Sequence, residues 1–187
     1  MRRTIAIIIG LAFIFSFGQQ AQEQEEMEFK PEIGLNAVAG KIGGLYVVDG
    51  YGINPGFGLW ADLGKLSQNI GLDGGVEYWF GSKEEASQTT KLSNLSIYLT
   101  IRLDFPVEEF TPFIGVGLGI DMYSKTPEFG AEEKRTNLEP HIDMGTRYPI
   151  HPKMDLEGRI KANFSDWTSY ALYVSAIFKL GESGAAE

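Results

Sequence analysis

An apolar residue at every second position, in eight separate stretches, is the feature that most restricts what this chain can fold into. Leu95, Ile97, Leu99, Ile101, Leu103 and Phe105 alternate with Ser96, Tyr98, Thr100, Arg102 and Asp104. A period of two puts the first set on one face of a strand and the second on the other. Ile70, Leu72, Val76, Tyr78 and Phe80 repeat the pattern against Gly71, Asp73, Gly75, Glu77 and Trp79. Ile114, Val116, Leu118, Ile120 and Met122 alternate with Gly115, Gly117, Gly119 and Asp121. Met154, Leu156, Ile160, Ala162 and Phe164 alternate with Asp155, Glu157, Arg159, Lys161 and Asn163. A final stretch carries Tyr170, Leu172, Val174, Ala176, Phe178 and Leu180, and the weaker stretches Pro31–Lys41, Ile53–Gly64 and Asn137–Tyr148 complete the set. Each is ~9–13 residues long, close to what a tilted strand needs to cross a membrane.

The connections sort by parity. Ile42–Gly52, Ser82–Ser93 and Lys125–Thr136 read as long, polar or glycine-rich loops. Between them fall short turns near Lys65–Gln68, Pro106–Glu109 and Pro149–Pro152, and the last connection, Ser165–Thr168, is also short. Loops alternating with turns are the pattern of a membrane barrel, turns toward the periplasm and loops outward. The apolar face carries almost no charge, and its aromatics, Tyr78, Phe80, Phe105, Tyr148, Phe164, Tyr170 and Phe178, gather toward strand ends, as interfacial girdles require. The other face holds charges of both signs and many of the 23 glycines. Glycine there leaves room for long neighbours such as Tyr98, Arg102 and Arg159.

The N-terminus reads as an export signal. Arg2 and Arg3 precede an apolar run, Ile5 to Phe17, and Ser16-Phe17-Gly18 offers small residues for cleavage after residue 18, with a cut after Ala21 as the second choice. Thirteen residues are too few for the ~20 of a spanning helix. The expected organisation is a signal over 1–18, a polar segment over 19–30, a barrel over 31–180 and a tail over 181–187. Removing Arg2 and Arg3 leaves 14 basic against 25 acidic residues, a charge of -11. Acidity of that size argues against nucleic acid as a partner. The chain has no cysteine, which excludes disulfides, Cys-ligated metals and a lipoprotein-type anchor.

These residues resemble the small outer-membrane barrels of the OmpA transmembrane-domain and OmpX type. The resemblance covers about Pro31 to Leu180 and rests on the signal, the eight stretches, the run Pro112-Phe113-Ile114-Gly115-Val116-Gly117-Leu118-Gly119 and a last strand ending on Phe178. It implies an all-β, eight-stranded, antiparallel up-and-down transmembrane barrel in contact with outer-membrane lipid. It also implies insertion by the outer-membrane assembly machinery, which reads a final strand with a terminal aromatic; here the chain runs on through Gly181–Glu187.

Little in the sequence points to chemistry. The glycines of Gly115–Gly119 lack the spacing of a dinucleotide loop. His141, on the polar face near Glu139 and Asp143, lacks a marked nucleophile, and His151 falls in a turn. No catalytic residue, metal or cofactor is expected. The expected site is an interior charge network of Asp73, Arg102, Asp143, Arg147, Asp155 and Arg159. In an antiparallel hairpin, paired residue numbers keep a constant sum. A sum of 302 sets Arg147 opposite Asp155 and Asp143 opposite Arg159, both attractive, whereas 300 sets like charges together. The same reasoning sets Asp73 opposite Arg102. With eight strands the interior is just wide enough for side chains to fill, so the expected role is structural, envelope-maintaining or surface-interacting. An extracellular partner would dock on 82–93 and 125–136. The alternatives are a narrow pore and a soluble lipocalin-like carrier, whose apolar face would line a ligand cavity.

Overall fold

A computed structural model describes residues 30–48, 51–85, 88–164 and 168–180. The expected signal, nearly all of the polar segment, the tail and most of the connection 165–168 lie outside the described residues. Eight strands, β1 (Glu32–Val47), β2 (Gly52–Ser67), β3 (Ile70–Glu85), β4 (Gln88–Asp104), β5 (Thr111–Pro127), β6 (Glu133–His151), β7 (Met154–Asn163) and β8 (Ser169–Lys179), form a closed barrel in sequence order. All neighbours are antiparallel, and β1 closes on β8 from Ala37↔Lys179 to Val47↔Ser169. Following the paired row from Asn94 through Trp79, Gly56, Gly43, Tyr173, Arg159, Gly145 and Phe113 returns to β4 at Asp104. The stagger is therefore 104 − 94 = 10 residues, and closed barrels of this kind tilt their strands by about 35–45°.

The alternation sets the two faces. Leu95, Ile97, Leu99, Ile101 and Phe105 are exposed on the outside, as are Ile160, Leu172, Val174 and Phe178, while Ser96, Tyr98, Thr100 and Arg102 are buried inside. Charges inward and apolar side chains outward is the reverse of a soluble carrier. From Leu95 to Phe105 the outer face rises about 33 Å along the strand at ~3.3 Å per residue. Tilted by ~40°, that is about 25 Å along the barrel axis, the height of an apolar membrane band.

Three sequence expectations are corrected. The stretches read as long loops are mostly strand: β1 and β2 leave 48–51 between them, β3 and β4 leave 86–87, and β5 and β6 leave 128–132. The polar outer positions of 82–93 and 125–136 reflect ladder that continues past the apolar band, while Leu45, Val47 and Leu92 within these stretches are buried inside. The turn placed at Pro149–Pro152 is shorter, because β6 runs to His151 and β7 starts at Met154. That two-residue link resets the register. Asp143 pairs with Lys161 and Arg147 with Glu157, a sum of 304, so Arg159 faces Gly145 and Asp155 faces Pro149. Opposite charges meet in this register too, so a charge criterion that rejects 300 cannot separate 302 from 304. In the β3–β4 hairpin the sum is 173, with Asp73 beside Thr100 and Arg102 beside Gly71. A chain carrying cysteines at the outward positions Met144 and Ile160 should cross-link readily on mild oxidation, and one with cysteines at 144 and 158 poorly; the opposite preference would restore 302.

Small residues make the crowded interior feasible. A Cβ on Gly71 would come within 2.6 Å of the Arg102 guanidinium, and one on Gly75 within 2.6 Å of the Tyr98 hydroxyl. Gly64, at φ +108°, carries the chain through the irregularity between Asp62 and Lys65, where the Asp62 carboxylate accepts its N–H at 3.0 Å.

Candidate functional site

The polar faces of the eight strands converge on one axis and form a stack of ion pairs. Near the turn end, the fully buried Asp73 on β3 receives Arg102 of β4 on Oδ1, and on Oδ2 Arg159 of β7 at 2.9 Å and Arg147 of β6 at 3.5 Å. Each arginine has further partners. Arg102 donates to Asp104 at 2.6 Å, Arg147 to Glu157 at 2.8 Å, and Arg159 to Glu157 at 2.8 Å and Asp143 at 3.1 Å. Asp62 lies 3.3 Å from Arg102 and 3.4 Å from Arg147. The guanidiniums of Arg147 and Arg159 also lie over Trp60, at 4.9 and 5.2 Å from the ring centre, and Arg159 lies 4.9 Å from the centre of Phe113. Desolvated cations over ring faces gain from the quadrupole, so the inward aromatics join the network rather than merely fill space.

Halfway along, Glu77 gathers a second set. It accepts from Lys41 of β1, from Lys161 of β7 at 3.2 Å and from the Tyr173 hydroxyl of β8 at 3.2 Å. Lys41 also donates to the Tyr98 hydroxyl at 3.0 Å. Nearer the loop end, the Tyr123 hydroxyl donates to Asp121 at 2.9 Å and lies 3.5 Å from Glu139. Above these, Leu45, Val47, Trp79, Leu92 and Tyr123 form an apolar cluster across the lumen.

Of the six residues expected in the network, Asp73, Arg102, Asp143, Arg147 and Arg159 come together: Asp73–Arg102 and Asp143–Arg159 are diagonal contacts of neighbouring strands, and Asp73 meets Arg147 and Arg159 across the lumen. Asp155 stands apart and pairs with Lys179 at 2.7 Å on the turn-end rim. The expected six-residue set leaves out Lys41, Glu77, Lys161 and Glu157, which belong to the same stack. Their inward parity was legible, but pairs that cross the lumen, such as Lys41–Glu77 and Arg159–Asp73, follow from barrel closure rather than from any hairpin. His141 Nε2 lies 2.8 Å from Thr100 Oγ1, and the ring sits edge-on to Tyr98. Both His141 and Thr100 are buried. Among the described residues, no three of His, Asp and Glu converge as metal ligands.

Comparison with known proteins bears on the same frame. The profile of a family described as Outer membrane protein beta-barrel domain matches residues 9–175. No curated protein matches by sequence. Among solved structures, Neisserial surface protein A superposes with a TM-score of 0.60 at 17% identity, covering 81% of this chain and 100% of its own. Ail, the attachment invasion locus protein of Yersinia pestis, in complex with the heparin analogue sucrose octasulfate, gives 0.54 at 15%, covering 81% and 99%. The N-terminal β-barrel domain of Pseudomonas aeruginosa OprF gives 0.52 at 12%, covering 79% and 99%. At such identities the likeness is one of fold.

Proposed function

The chain belongs to the family of the outer membrane protein beta-barrel domain, and from that premise we propose that this outer-membrane barrel is non-conducting and non-enzymatic, and that it works through the surface its loop end presents. One observation carries the reading: the ion-pair stack around Asp73 and Glu77, capped by the apolar cluster, joins opposite walls of the lumen at successive levels. A pore needs a continuous wet path. Here Lys41, Arg102, Arg147, Arg159 and Lys161 are each paired with a carboxylate and lie over an aromatic ring, and Asp121 accepts from the Tyr123 hydroxyl. Insertion is assigned to the outer-membrane assembly machinery acting on β8, whose outward aromatic Phe178 lies one residue before its end.

In this reading the short turns face the periplasm and the hairpins β3–β4 and β5–β6 project from the cell. The tip of the β5–β6 hairpin bears Glu132 and Glu133, exposed and paired with Lys134 and Arg135. A partner therefore meets a rigid ladder fringed with balanced charge, not a floppy loop. In planar bilayers the purified protein should give no steady conductance; a stable, large step would overturn the plug. On intact cells, a membrane-impermeant maleimide should label a cysteine placed at Lys134 and spare one at Lys153. Labelling of Lys153→Cys alone would invert the topology while leaving the plug standing.

A further inference from the structure

The barrel wall is not joined to the same height all the way round. β2 reaches up to Gly52 and β3 to Glu85, yet among the described residues their pairing ends at Gly56↔Trp79. Beyond that row β2 pairs with β1 alone, through Pro55↔Gly44, Asn54↔Leu45 and Ile53↔Tyr46, and β3 with β4 alone. Two local features mark the break. Pro55 has no N–H to offer β3. The buried Asn54 reaches over Gly81, where any Cβ would lie 1.6 Å from its Oδ1, so a second side chain cannot enter the row.

The gap is a cleft of about 750 Å³ that opens sideways through the wall, within the size range of small-molecule sites. Ile53 and Pro55 face Tyr78 and Phe80 across it, and the buried Leu92 is part of its lining. Higher up, its polar lining is Lys91 with the hydroxyls of Ser82, Ser93, Ser124 and Thr126, and among the described residues no carboxylate lines it. The nearest acids on that face, Glu84 and Glu128, are one outward row farther along, beside Thr89. Lys91 makes no ion pair among the described residues. The level of the cleft is fixed by register. Ile53 pairs with Tyr46, which pairs in turn with Tyr170, so the cleft opens in the aromatic belt of the loop end, where hydrocarbon meets headgroups.

We propose that this cleft is a lateral binding site for a lipid of the surrounding leaflet with a net-anionic phosphate headgroup, with an acyl chain between Ile53, Pro55, Tyr78 and Phe80 and the phosphate on Lys91 and its neighbouring hydroxyls. The site goes beyond the surface-contact reading and does not depend on it. The apolar walls continue the lipid-facing surface inward, so a chain enters without leaving an apolar medium. At the upper end an ammonium and hydroxyls meet the one strongly anionic part of such a molecule, where charge-assisted hydrogen bonds are the strong ones. An apolar ligand without a headgroup would leave Lys91 unpaired, and a free anion would leave the aromatic walls uncovered.

Native mass spectrometry of the full barrel in a neutral maltoside detergent tests this, with phosphatidic acid and phosphatidylcholine of identical chains as probes. The wild type should retain phosphatidic acid about tenfold better than phosphatidylcholine, the ratio that one charge-assisted contact supplies. Lys91→Gln should bring that ratio to about one, and Ser82→Trp, which fills the cleft, should reduce retention of both lipids. Lys153→Gln, at the turn end, should change neither. Millimolar inorganic phosphate should not displace the lipid. Equal retention of the two lipids by the wild type, an unchanged ratio in Lys91→Gln, or displacement by inorganic phosphate would overturn the proposal. If Ser82→Trp fails to fold, as judged by thermal melting, the ratio in Lys91→Gln decides alone.

Discussion

Asp73→Asn should lower folding stability by about 3–5 kcal/mol, the range found when one member of a buried ion pair is removed. The side chain is fully buried and its carboxylate is shared by Arg102, Arg147 and Arg159. Asparagine keeps the shape and one acceptor but removes the charge that three guanidiniums share, so they repel one another more strongly in a medium that screens them poorly, each keeping only its carboxylates at Asp104, Glu157 or Asp143 and Asp62. The rim pair Asp155–Lys179, whose lysine is 40% exposed, provides the contrast. Lys179→Gln there should cost under ~1 kcal/mol, as solvated pairs do. Urea unfolding in lipid vesicles reads both. A loss below ~1 kcal/mol for Asp73→Asn would mean that water reaches the arginines, and the closed-lumen reading would fail with it.

Leu99→Arg is the second large effect, about 2–4 kcal/mol when measured in a bilayer. Leu99 is 49% exposed on the outer face, and Leu95 and Leu103 flank it symmetrically within the apolar band. The pattern alone suggests that Arg at the neighbouring Thr100 would be milder, since that face is polar. The filled interior removes that contrast. Thr100 has no exposure, is hydrogen-bonded to His141 and touches the space above Gly115, so a long cation there overpacks a site without slack, at ~1–3 kcal/mol or more. The two losses differ in cause, and the solvent separates them. Moving from bilayer to detergent micelle should shrink the Leu99→Arg penalty and leave that of Thr100→Arg unchanged. An undiminished Leu99→Arg penalty in micelles would show that the outer face answers to something other than hydrocarbon.

The contrast between Leu99 and Thr100 also marks how far the sequence could be read. Strand number, the inside–outside assignment and the aromatic belts follow from a period of two, a property each segment carries by itself. Register does not. Asp143 meets an opposite charge at both Arg159 and Lys161, so only the turn at Pro152 and Lys153 chooses between them. Strand ends were missed for a related reason. Beyond the membrane the outer face of a ladder is polar too, and Lys83–Glu85 or Lys134–Thr136 reads as loop although it pairs. The contacts that matter most in the lumen, Lys41–Glu77 and Arg159–Asp73, join strands that are never neighbours in the wall. The cleft between β2 and β3 left one trace, Pro55 in a segment otherwise read as a continuous strand.

The seam between β1 and β8 bears on the order of events during assembly. It unites residues 37–47 with 169–179, so it is the pairing with the largest loop to close and the last that chain entropy favours. Until it forms, Lys41, Glu77 and Arg159 line one side of an open sheet, hydrated and cheap to keep charged. Their water is surrendered only when the sheet curls shut, and the pairs that reach across the lumen then replace it all at once. An open sheet also has two bare backbone edges, which hydrocarbon does not tolerate. For this chain, entering the bilayer and joining its first strand to its last are therefore a single event, and a variant that falters at the seam should accumulate outside the membrane rather than halfway through it.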